Sequence, residues 1–236
     1  MKAESQVESE IQVYASPTVG NKQTIFELHS NYTIKGIKDL PDPSAANYLN
    51  ESLEITHGFG NNFEIGCYFF TTFNPSGKYE YLGSHIRPRF TAPASWNWKL
   101  GVSLSAEFGF FRQGVDQPFY WEGEIRPIID KTTGNWYFSL NPNIDFILTG
   151  DNKHWGLGPQ FKTVYTIRKK FGLGLEYYGE LGTFSKIYPI KEEEHLLGPM
   201  LDLYLHPKWE LNTGFLFGLT PNSNQRAVKL IIGRRI

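Results

Sequence analysis

Apolar and polar residues alternate with a period of two through most of this chain, and clusters of Gly, Pro, Asn, Asp and Ser break the alternation at short intervals. A period of two places successive side chains on opposite faces of a strand, so the pattern predicts β-strands separated by turns. About twelve segments carry it, at residues 23–34, 49–59, 61–73, 79–90, 96–111, 119–130, 136–147, 154–168, 171–183, 195–205, 208–219 and 226–236. In 96–110 one face is Trp96, Trp98, Leu100, Val102, Leu104, Ala106, Phe108 and Phe110, against Asn97, Lys99, Gly101, Ser103, Ser105, Glu107 and Gly109. In 136–146, Trp136, Phe138, Leu140, Pro142, Ile144 and Phe146 oppose Tyr137, Ser139, Asn141, Asn143 and Asp145.

Alternation alone fits a soluble sandwich with an apolar core as well as a barrel with an apolar outer wall. Three features favour the barrel. The segments run about ten to fifteen residues, longer than the usual globular strand and enough for a tilted membrane crossing. Aromatic residues of the apolar face gather at segment ends, as Trp96, Trp136, Trp155, Phe171 and Trp209 do, where barrel girdles meet the membrane interfaces. The connections also alternate in length. Gly60-Asn61, Thr91–Ser95, Lys131–Asn135, Lys169-Lys170 and His206-Pro207 are compact, whereas 35–48, Asn74–Lys78, 112–118, 148–153, 184–194 and 220–225 are longer on the whole. Short periplasmic turns, longer outer loops and an even strand count put both termini on the periplasmic side. The fold class expected is all-β: an antiparallel up-and-down transmembrane barrel of about twelve strands, residues 23–236, in a bacterial outer membrane. Residues 1–22 form an N-terminal lead-in, in which Glu8–Tyr14 also alternates and either lines the periplasmic rim or tucks into the lumen.

Composition narrows the functions. A formal net charge of -1 offers no basic field for nucleic acid. The single cysteine, Cys67, excludes an internal disulfide and a zinc site of paired cysteines. Met1-Lys2-Ala3-Glu4-Ser5 lacks the apolar core of a secretory signal, which for an exported chain implies a signal already removed.

The stretch His195 to Phe215, with Trp209-Glu-Leu-Asn inside it, is followed by Phe217-Gly-Leu-Thr-Pro-Asn-Ser-Asn224 and Lys229-Leu-Ile-Ile-Gly-Arg-Arg. Together these resemble the outer-membrane barrel family named after the meta-pathway of phenol degradation. The Glu54–Gly66 hairpin is similar to it more loosely. The resemblance implies the barrel class and a transport or channel role. Ile236 closes a strand that in such barrels usually ends in Phe, the residue through which the barrel-assembly machinery recognises the last strand.

With the apolar face outside, Glu27 and a set of charged residues point inward: Glu54, Glu64, Arg87, Arg89, Lys99, Glu107, Glu122, Glu124, Arg126, Asp145, Lys162, Glu176, Glu180, Asp202, Glu210 and Lys229. Isolated charges in a dry interior cost several kcal/mol each, so this face requires water or mutual pairing. These residues either line a selective pore or form a ladder of ion pairs that stiffens the wall. Glu122 and Glu124 against Arg87 and Arg89 would set an acidic row across the lumen from a basic one. Twelve strands fall between the eight that side chains can fill and the sixteen or more that leave an open channel, so the lumen is either a narrow pore or plugged. Loop 35–48 either folds inward as a constriction or stands exposed.

No catalytic residue, metal site or cofactor is expected. The six histidines lack a His-x-x-x-His spacing, and the parts of a lipid-facing hydrolase (His57 or His85 with Ser84 or Ser30) do not converge, since Ser84 and His85 alternate to opposite faces. The expected partners are outer-membrane lipid, the assembly machinery and a small solute. The function expected is a channel for small solutes, aromatic or hydrophobic ones among them. The alternatives are a closed-lumen structural or binding barrel and the hydrolase.

Overall fold

A computed structural model describes residues 10–37, 46–114, 116–150, 153–167 and 170–236. Twelve long strands and one short hairpin form within them: β1 (Thr24–Ile37), β2 (Leu49–Gly58), β3 (Phe63–Phe73), β4 (Tyr79–Thr91), β5 (Gly101–Phe111), β6 (Tyr120–Thr133), β7 (Trp136–Ile147), β8 (Trp155–Ile167), β9 (Phe171–Glu180), β10 (Gly182–Thr183), β11 (Lys186–Ile187), β12 (Glu194–His206), β13 (Trp209–Gly218) and β14 (Asn224–Arg235). The little β10–β11 hairpin decorates the connection from β9 to β12. Every long strand pairs antiparallel with its neighbours in the chain, and β1 pairs with β14 from Ile25↔Arg235 to Ile37↔Asn224. The sheet thus closes on itself and leaves no long edge exposed.

All twelve expected segments are strands, with one correction. Residues 96–100 do not extend β5: a 3-10 turn at Ala94–Trp96 and a left-handed Asn97, φ 52°, hold the chain in the rim. Lys99 is therefore an exposed rim residue and lines no lumen. The Trp96 and Trp98 rings pack at 4.9 Å between centroids in that same rim.

Burial is the reverse of a soluble protein's. Along β2 the buried row is Asn50, Ser52, Glu54 and Thr56, and along β5 it includes Ser103, Ser105 and Glu107. The exposed row holds Phe26, Leu28, Leu53, Phe69, Leu104, Phe108, Leu140, Phe161 and Leu175. Polar residues inside and apolar ones outside can only be stable where the outside is hydrocarbon, so this wall spans a membrane. All six tryptophans are exposed at strand ends or in the rim. Trp96, Trp98, Trp136 and Trp209 mark the end that carries the short turns, the start of β1 and the C-terminus, and Trp121 and Trp155 mark the loop end.

The N-terminal segment supplies the part of the interior that strands do not. Ile11, Val13, Tyr14, Ser16 and Val19 are buried inside the wall. Ile11 and Val13 pack high in the barrel with Tyr178, Leu196, Leu216 and Ala227. From there the segment descends to the rim, where Asn21 bridges Gly58. A Cβ on Gly58 would lie 2.3 Å from the Gly20 carbonyl oxygen, so only glycine lets the backbone pass there. We call residues 10–20 the strap. Of the lead-in's alternating stretch, Glu8 and Ser9 lie outside the described residues, as do 38–45 of the loop considered as a constriction.

Two outcomes follow from this wall. Leu140, exposed in the middle of β7 between Ile129 and Phe161, should tolerate arginine poorly: Leu140→Arg is expected to cost about 2–4 kcal/mol in reversible unfolding from lipid bilayers. With Cys67 replaced by serine, an impermeant maleimide applied to whole cells should label a cysteine at Ser76, in the β3–β4 loop, and spare one at Thr132, beside the β6–β7 turn. Equal labelling would reverse the assignment of the two ends.

Candidate lumen site

The inward charges gather into local clusters, and the transverse separation of an acidic and a basic row does not form. The first cluster joins β2, β3 and β4. Arg87 pairs with Glu54 and lies 3.2 Å from Glu64, and its Nε donates to the Tyr68 hydroxyl at 3.0 Å. Arg89 reaches the same Glu64 at 2.7 Å. Space for the Arg87 head comes from Gly66, paired with it across β3 and β4, where a Cβ would fall 3.2 Å from Nη2. The second cluster spans β4 to β7. His85 sits 2.6 Å from Glu107 through Nδ1 and 3.4 Å from Glu122 through Nε2. Glu124 takes two hydrogen bonds from Arg126, at 2.5 and 2.8 Å, and one from Asn143 at 3.0 Å. The third joins β8, β9, β12 and β14: Lys229 donates to Glu176 at 2.6 Å, and Lys162 lies 3.3 Å from Glu176 and 3.1 Å from Asp202. Asp145 and Glu180 are half-buried, and the half-exposed Glu210 pairs with Arg235 near the rim.

The strap ties the first two clusters together. Its Tyr14 ring has the guanidinium carbons of Arg126, Arg87 and Arg89 at 4.5, 4.9 and 5.6 Å from its centroid. The Tyr14 hydroxyl bonds Glu10 and Tyr68. The aromatic face is negative, so three cations around it are mutually screened as well as attracted. The strap has no sheet partner over this stretch, and wall side chains satisfy its backbone instead. Asn141 Oδ1 accepts from Tyr14 N at 2.7 Å, and Ser139 donates to the Tyr14 carbonyl at 2.6 Å. Asp130 accepts from Ser16 N at 2.6 Å and Glu64 from Val19 N at 2.5 Å, while Arg89 donates to the Ala15 and Pro17 carbonyls, each at 3.0 Å.

All these partners lie on β3, β4, β6 and β7, so the strap leans on one side of the barrel. On the other side a cavity of about 590 Å³ remains, between Gln12, Val13 and Ala15 of the strap and the β8, β9 and β12–β14 wall with Glu27 of β1. Lys162, Glu176, Asp202 and Lys229 line it, as do Tyr137 and Tyr204, and it reaches the rim at His206 and Pro207. Toward the loops the lumen narrows against apolar side chains that the alternation pattern left unassigned to the interior: Leu196 and Leu216 with the strap's Ile11 and Val13, and Phe70, Leu82 and Phe111 opposite.

The parts considered for a hydrolase are engaged elsewhere. His57 Nδ1 lies 2.8 Å from Thr24 Oγ1, His85 is held between Glu107 and Glu122, and Ser84 bonds Tyr81 on the outer face.

Depth separates the ion pairs energetically. Arg87→Met strands Glu54 and part of Glu64 in a buried site and is expected to lower unfolding stability by about 3–5 kcal/mol. Arg235→Gln breaks a half-exposed pair and should cost at most about 1 kcal/mol in the same denaturant titration in micelles.

Residues 118–230 match the family model described as "Putative MetA-pathway of phenol degradation". No curated protein sequence is significantly similar to the chain. In fold it is similar to an outer membrane channel from Pseudomonas putida F1, with a TM-score of 0.65 at 10% identity over 96% of this chain and 100% of that one. The NanC porin gives 0.58 at 12% identity over 88% and 97% of the two chains, and the KdgM porin 0.56 at 12% over 89% and 98%. These likenesses show a shared fold, and the family model, which falls on the second half of the chain, agrees with the resemblance to that outer-membrane β-barrel family read from the sequence.

Proposed function

We propose that this barrel is a channel for small solutes across the outer membrane, narrowed at rest by the strap. The observation that carries the reading is the cavity alongside residues 12–15, which runs to the rim and is lined by bases, acids and tyrosines. A barrel built only as a rigid post would have no use for a space of about 590 Å³ with Lys162, Lys229, Glu176 and Asp202 at its wall. The lining suits a small solute with a ring that packs on Val13, Tyr137 and Tyr204 and a polar group that meets the charges. The similar folds, an outer membrane channel and two porins, support the same class.

The strap also supports a second reading, a closed barrel, because its backbone is bonded to the wall from Tyr14 to Val19. Conductance separates the two. Deleting residues 1–20 should raise single-channel conductance in planar bilayers several-fold over the intact protein. In that deleted form, Glu122→Gln with Glu124→Gln should lower cation preference, because both carboxylates then face open water. The selectivity change should fade at high salt, where the Debye length falls from about 10 Å at 0.1 M to about 3 Å at 1 M. A deleted barrel that folds and does not conduct would establish the closed reading.

A further inference from the structure

One group of side chains is only partly explained by the ion-pair clusters, which use a single oxygen of Glu54 and leave Glu27 and His29 aside. Glu27 and His29 stand two apart on the inward row of β1, and Glu54 lies directly across from Glu27 on β2. One donor atom from each of the three comes within 4.8 Å of the other two, and all three residues are buried. Two carboxylates directly opposite on adjacent strands repel one another. Glu54 uses only one oxygen for Arg87 and Thr56, and its Oε2 accepts no hydrogen bond among the described residues. His29 has no exposed surface, and neither ring nitrogen has a hydrogen-bond partner, with Nε2 3.5 Å from that same Oε2. An imidazole buried with no hydrogen bond and a single long contact to one carboxylate is costly unless something fills the gap. Arg87 and Arg89 pair with Glu54 and Glu64, which leaves Glu27 as the carboxyl of the group with no salt bridge among the described residues.

One imidazole nitrogen and two carboxylate oxygens converging on one point form a donor set for a divalent transition ion. We propose that Glu27, His29 and Glu54 form a metal site in the lumen wall that takes Zn²⁺ or an ion of similar preference. Glu27 also lines the cavity, so the ion loads from that side and keeps an open position toward it for water or a passing ligand. Arg87 and Thr56 hold the other oxygen of Glu54 and so orient the free one toward the ion. Binding weakens as pH falls, because the imidazole and the carboxylates must shed protons to ligate.

The test uses the full chain, folded in micelles and stripped with a chelator, and titrates it with Co²⁺ while reading the visible absorption band. One Co²⁺ per barrel, displaced by Zn²⁺, is expected. Both His29→Gln and Glu27→Gln should weaken Co²⁺ at least tenfold, while His206→Gln, at the cavity rim, should leave it unchanged. Glu27→Gln alters a side chain that faces the cavity, so a folded variant remains for the comparison even if His29→Gln fails the heat-modifiability check. A wild-type barrel that takes up no Co²⁺, or binding that survives both substitutions, overturns the site.

Discussion

The constraint on which this molecule depends is the width of its own wall. Twelve strands enclose more cross-section than one layer of inward side chains can fill. The space must hold water, more protein, or both, and here the strap fills one side and a cavity remains on the other. The strap occupies the β3–β7 side, and its presence allows buried arginines there. Arg87, Arg89 and Arg126 would repel one another across an empty lumen, whereas around the Tyr14 ring and between Glu10, Glu54, Glu64 and Glu124 each finds an opposite charge or a negative aromatic face. Removing any one of these partners leaves a charge without compensation in a poorly hydrated place. The wall and the strap are thus a single electrostatic object, although only the wall is a sheet.

The wall was readable in the sequence because it depends on local pattern. Alternation over ten or more residues fixes which side chains share a face, and turn residues fix where a strand stops. Lys99 was misplaced because Trp96 and Trp98 continue the alternation through a turn, where the left-handed Asn97 ends the strand. The inward position of Leu196 and Leu216 was hidden because each has an apolar neighbour on the opposite face, Leu197 and Phe217, which makes parity ambiguous. Charge pairing was illegible for a different reason. Barrel stagger sets which inward residues meet, so Lys229 of the last strand finds Glu176 of β9, and no spacing in the chain announces that contact. The same holds for Glu27, His29 and Glu54. A search for histidines one helical turn apart cannot find ligands that lie two apart on one strand and opposite on the next.

Weak sequence likeness beside a shared fold follows from the same logic. Each strand needs only an apolar residue at every second position, and many sequences meet that need without resembling one another. Identities of 10–12% with barrels of TM-score 0.56–0.65 are the expected outcome. The matched family model covers β6 to β13 and the first part of β14, among them the strands β7–β9, β12 and β13 that border the open cavity, whereas the strap's partners on β3 and β4 fall outside it.

Closure between β1 and β14 also fixes an order of events. The strap continues directly into β1, and the finished wall has no gap in its ladder through which a chain could be drawn sideways. Residues 10–20 must therefore lie inside the curling sheet before the last strand docks, or be threaded afterwards through the rim. In the first case Tyr14 waits for Arg126, more than a hundred residues later in the chain, and the strap serves as the template on which the inward charges are neutralised while the barrel is still open. Assembly and occlusion are then the same act, and the lumen of the newly closed protein is never empty.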